Sequence, residues 1–142
     1  MICTFFGHKD VPDSIERALK ETIKDLIERK EVKQFYVGNN GHFDFLVQKV
    51  LREVVMPLAD VRYSIVLSFI NESALSGDQD ATEFPEGLEK TPRRFAISKR
   101  NEWMISHATF VIAYVQHTLS HSYQWVKKAK CKGLRIINLA DQ

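Results

Sequence analysis

Only two of the 142 residues are cysteine, Cys3 and Cys131, and neither belongs to a Cys-x-x-Cys pair. That scarcity argues against a zinc ribbon or a dithiol redox motif, and two free thiols are expected. No apolar run approaches the ~20 residues needed to span a bilayer. The N-terminus also lacks a charged stretch ahead of a long apolar one, so no signal peptide is read and a cytoplasmic location is expected. Charge of one sign is missing too: 20 basic residues face 18 acidic ones, a net charge of +2. Binding to nucleic acid or to a membrane surface would rest on a basic surplus, so neither partner is expected. Lys127, Lys128, Lys130 and Lys132 read as a solvated helix face. The Gly-x-Gly-x-x-Gly spacing of a dinucleotide enzyme is absent as well.

What is present is the composition of a globular protein, 44% hydrophobic and 27% charged. Short apolar runs alternate with segments of helical period, as a parallel sheet with crossover helices requires. Strands are expected at Ile2 to Phe6, Gln34 to Val37, Tyr63 to Ile70, Thr109 to Val115 and Leu134 to Leu139. Between them, Ile15, Leu19, Ile23, Leu26 and Ile27 form one helical stripe, and Phe43, Leu46, Val47, Val50, Leu51, Val54 and Val55 a second. Further helices are expected from about Arg94 to His107 and from about Ser120 to Lys132, the latter stopped by Gly133. A long polar connection spans Asn71 to Thr91. The expectation is one α/β domain over residues 1–142, Rossmann-like and three-layered, with a mainly parallel five-stranded sheet.

Ligands of open α/β sheets bind beyond the carboxyl ends of the strands. Here those ends carry Gly7-His8-Lys9-Asp10, then Gly38-Asn39-Asn40-Gly41-His42-Phe43-Asp44, then Gln116-His117-Thr118-Leu119-Ser120-His121-Ser122. The Gly38 to Gly41 run has two readings. Glycine and asparagine accept positive φ, so the run can present backbone N–H groups to an anion at a helix start. It can equally be a tight strand-to-helix turn, with Asp44 serving the helix start. On the third helix Ile97, Met104 and Ile105 define a buried face that Arg100 and Asn101 share. A buried arginine needs a partner, either a carboxylate or a ligand phosphate. His117 and His121 have a metal-ligand spacing, but they bridge a strand end and a helix start. A third ligand would have to come from His8, His42 or Asp10, and no metal is expected.

Cys3-Thr4-Phe5-Phe6-Gly7-His8-Lys9 resembles the "TGHR" strand-one signature of YpsA-like proteins, in the SLOG (SMF/DprA–LOG) superfamily of Rossmann-like domains. Phe35-Tyr36-Val37-Gly38-Asn39-Asn40-Gly41-His42-Phe43-Asp44 is similar to that family's "GGxxGxD" segment. Phe84 to Glu89, Arg94 to Ile97, Arg100 to Ile105 and Lys130 to Leu139 continue the likeness in order. The resemblance implies a site for a nucleotide or nucleotide-derived molecule such as AMP or ADP-ribose. The implied contacts are Gly7, His8, Lys9, Gly38, Asn39, Asn40, Gly41, His42, Asp44, Arg94, Arg100, Asn101, Thr118, Ser120 and His121. Arg100 and Met104 match the Arg-x-x-x-Met helix of the family's phosphoribohydrolases. Two departures stand out. Ser120-His121 replaces the family's Gly-Gly, although Thr118, Ser120 and Ser122 can supply other contacts. The following helix, with Tyr123, Gln124, Trp125 and Val126, has no acidic residue.

A ligand-binding or sensing module is therefore expected, with no resident cofactor. Two alternatives stay open. One is a nucleotide N-glycosidase using Arg100 with Glu86 or Glu89, since such cleavage needs a group to activate water or to stabilise the cationic sugar. The other is a protein-interaction domain with a vestigial cleft. A homo-oligomer is expected, with Trp103 and Trp125 as candidate contacts, although each can equally be a core aromatic.

Overall fold

The computed structural model describes residues 1–69 and 81–141. Helices flank both faces of a parallel sheet, giving the expected three-layer α/β architecture. The strands are β1 (Ile2–Gly7), β2 (Gln34–Val37), β3 (Arg62–Val66), β4 (Thr82–Glu83), β5 (Phe110–Tyr114) and β6 (Arg135–Asn138). The helices are α1 (Glu16–Lys30), α2 (His42–Val54), α3 (Ala96–His107) and α4 (His121–Cys131). The sheet order is β4-β3-β2-β1-β5-β6, and every pairing is parallel.

All five expected strands are present, and β4 adds a sixth that hydropathy does not announce. Both its residues are exposed. It forms by backbone pairing alone, with Ile65 N–H donating to Ala81 O and Leu67 N–H to Glu83 O at 2.9 and 2.8 Å. An edge strand that buries no side chain leaves no pattern to read. The third strand stops at Val66, short of the expected end, and Ile70 lies outside the described residues. So does the 71–80 part of the connection read as polar.

The period of two along the strands sorts side chains between two cores. Cys3 and Phe5 of β1, with Phe110, Ile112 and Tyr114 of β5, pack with the stripes of α1 and α2. Phe6, Val111, Ala113 and Val115 point the other way, to Met104 and Ile105 of α3 and Ala129 of α4. Strands covered on both faces read as continuous apolar runs for this reason. Cys3 is buried and Cys131 exposed, and both thiols are free.

The order places a topological switch between β1 and β5. The chain winds outward from β1 through β2 and β3 to β4, then returns to the other side of β1. Adjacent crossovers leaving a sheet in opposite directions open a crevice at their carboxyl ends. Gly7 ends β1 there, and its register partner is Tyr114 of β5.

Candidate functional site

A cavity of about 600 Å³ opens at this crevice, within the ~300–1,000 Å³ usual for ligand clefts. Its walls come from the end of β1, the first turn of α2, the inner face of α3 and the start of α4. Of the residues expected at the site, Gly7, His8, Lys9, Asn40, Asp44, Arg94, Arg100, Asn101, Ser120 and His121 line it. Gly38, Asn39, Gly41, His42 and Thr118 do not. Glu86 and Glu89, the carboxylates weighed for catalysis, are exposed and lie off the wall.

The Gly38 to Gly41 run does its work through the side chains it seats. Only Gly41 of the four uses positive φ, at 105°, where it caps α2. A Cβ there would lie 2.9 Å from the Lys9 Cα, so the position admits only glycine without backbone movement. Gly38 has a different reason. A Cβ on it would meet both the Arg100 Cζ and the Asp44 Oδ2 at 2.9 Å. A cation and an anion thus converge over a residue with no side chain. Two N–H groups of the run already have protein acceptors: Asn40 donates to Asp44 Oδ2 at 3.0 Å and His42 to Lys9 O at 2.8 Å. Asp44 therefore does serve the helix start, as one sequence reading holds, by accepting the N–H of the residue before the Gly41 cap.

Arg100 is 3% exposed and Asp44 8%. The guanidinium donates from Nη1 to Asn39 Oδ1 at 3.3 Å, and from Nε and Nη2 to Asn101 Oδ1 at 3.3 and 3.2 Å. Burial pushes the Asp44 carboxyl above the usual range, against the opposing pull of Arg100 and of the Asn40 N–H. Among the described residues the wall carries Lys9, Arg94 and Arg100 against this single carboxylate, and the field of those groups favours an anion.

The β5–α4 connection is tied to β1. His8 Nε2 accepts the Gln116 N–H at 2.9 Å, which fixes the neutral ring with its proton on Nδ1. Burial and the neighbouring His117, ring to ring 5.3 Å, hold the His8 pKa below its ordinary value. Ser122 Oγ donates to Gly7 O at 2.6 Å. Ser120 caps α4, its Oγ accepting the Tyr123 N–H at 3.1 Å and donating to His117 O at 2.9 Å. The Ser120 hydroxyl, at the first of the two positions where the resembled family has glycines, and the nearby Ser122 hydroxyl are thus bonded to the protein itself. Thr118 is exposed in the preceding turn.

Several wall residues escaped the sequence reading. Ile97, expected on the buried face of α3, is 37% exposed and faces the cavity instead. Ser98 and Trp125 were not anticipated there. The signal existed: Arg94, Ile97, Ser98 and Asn101 share one helical stripe, too polar for a core face. Trp125 is half-buried against Phe6, with ring centroids 6.3 Å apart. Trp103 packs on His107 and Tyr36. His42 pairs with Asp13 on the surface, away from the wall. Among the described residues no group of three or more His, Cys, Asp or Glu side chains is placed to hold a metal. No described helix is long and apolar enough to cross a membrane.

No family model matches the chain, and no curated protein matches it. The fold is similar to the X-ray structure of DNA processing protein A (DprA) from Streptococcus pneumoniae, with a TM-score of 0.67 and 15% sequence identity. The alignment covers 94% of this chain and 48% of that one, so the chain spans about half its length. The likeness is one of fold. At that identity it shows the α/β fold alone and singles out neither a superfamily nor YpsA-like proteins.

Proposed function

We propose that this protein binds a nucleotide or nucleotide-derived anion in the cavity at the β1–β5 switch, as a sensor or binding module. The observation that carries the proposal is Arg100. It is buried on the cavity wall, where the side-chain amides of Asn39 and Asn101 hold its guanidinium in place. Lys9 and Arg94 add positive charge at the same wall, while Phe6, Met104 and Trp125 supply an apolar surface for a planar ring. An anion joined to a flat aromatic group fits that division. The N-glycosidase reading loses support, because Glu86 and Glu89 lie off the wall. Calorimetric titration with AMP, ADP-ribose, NAD and cyclic ADP-ribose isomers tests the proposal. Binding of at least one in the micromolar range is expected. Silence from every ligand, together with no nucleotide in the mass spectrum of the purified protein, rejects it.

A further inference from the structure

Among the described residues, Asp44 is the only carboxylate on a wall otherwise charged by Lys9, Arg94 and Arg100. An anion-binding cavity gains nothing from a buried carboxylate facing its ligand's charge, and the helix start alone does not require one. Asparagine or serine at a cap would accept a backbone N–H without the desolvation. Asp44 spends Oδ2 on the Asn40 N–H, while Oδ1, which no hydrogen bond reaches among the described residues, is open to the cavity and not sealed in the core. Arg100 lies close enough to act on its charge, but no ion pair within 4.0 Å joins the two. A carboxylate so placed asks the cavity's occupant for a hydrogen-bond donor. A cationic donor is disfavoured by Arg100 beside it, which leaves a neutral O–H.

We infer that Asp44 is a specificity-determining residue that accepts a hydrogen bond from the sugar hydroxyls of a ribonucleotide, so that the site distinguishes ribose from its deoxy forms. The inference rests on the nucleotide reading of the same cavity. It adds that recognition passes through the sugar as well as through the anion. An acceptor that a bound ligand covers without offering a donor loses its water with nothing in return, which is why lack of a hydroxyl is a strong basis for rejection.

The test is calorimetric titration of the four ribonucleoside 5′-monophosphates and their 2′,3′-dideoxy counterparts into wild type and Asp44→Asn. Asparagine keeps an acceptor for the Asn40 N–H, and a thermal melt checks that the variant is folded. In wild type the tightest-binding ribonucleotide is expected to bind at least ten-fold more strongly than its dideoxy form. In Asp44→Asn that ratio is expected to shrink to about three-fold or less, through weaker binding of the ribonucleotide. Equal binding of the two forms by wild type overturns the inference, and that comparison needs no variant. A ten-fold ratio that survives in Asp44→Asn overturns it as well. If none of the four monophosphates binds, the inference falls, whereas the nucleotide reading still answers to ADP-ribose, NAD and the cyclic isomers.

Discussion

At the scale of single residues, charge and burial oppose one another at Asp44. Its folded pKa is raised, so the stability it contributes is fully present below the unfolded value near 3.9 and is lost as pH rises through the folded value. At neutral pH the ionised group is a cost to the empty protein. Asp44→Asn should therefore raise the melting temperature, with a gain larger at pH 8 than at pH 4, as differential scanning fluorimetry would show. His8 has the opposite dependence. Its pKa is depressed, so the stability of the neutral ring is present above the unfolded value near 6.5 and is lost as pH falls through the folded one. The melting temperature of His8→Gln should accordingly fall less than that of wild type between pH 7 and pH 5. Gly38→Ala pushes a methyl group onto the flexible tip of Arg100. A stability loss of about 1 kcal/mol is expected, with roughly ten-fold weaker nucleotide binding by calorimetry.

At the scale of elements, ends decide more than middles. Helix α1 closes at Glu31, which adopts a left-handed φ of 54°, while Val32 N–H reaches back to Leu26 O at 3.1 Å. A side chain in that conformation costs about 1 kcal/mol relative to glycine. Glu31→Gly should raise unfolding stability in urea by about that amount, and it touches neither core nor cavity. Ser120→Ala removes the cap of α4 and should cost about 1 kcal/mol in the same assay. Helix and strand interiors were legible in the sequence because burial imposes its period on them. The apolar stripe of α2, which runs on to Val55 at its cap, and the continuous run of β5 show that directly. The two-residue β4 was not legible, since it pairs through backbone alone, and Ile97 was misplaced because helical period cannot tell a core from a cavity wall.

At the scale of the molecule, the sequence indicated which strand ends gather but not how their atoms are spent. Gly38 and Gly41 were legible as special positions. That one of them makes room for Arg100 while the other turns the chain against Lys9 depends on contacts between residues about thirty to sixty apart, which no local pattern carries. The sheet order explains why the gathered residues face a cavity at all. It also sets which parts of the chain meet there. The first turn of α2 belongs to the layer on one face of the sheet, and α3 and α4 to the layer on the other. Elsewhere the sheet stands between the two layers. An occupant touching both walls would act as a rivet driven across the sheet edge. Amide exchange should then slow together at the starts of α2 and α4 and along α3, while β6 and the far end of α1 keep their rates. Such a protein would report its ligand as a change in how firmly two separately packed layers are held in step.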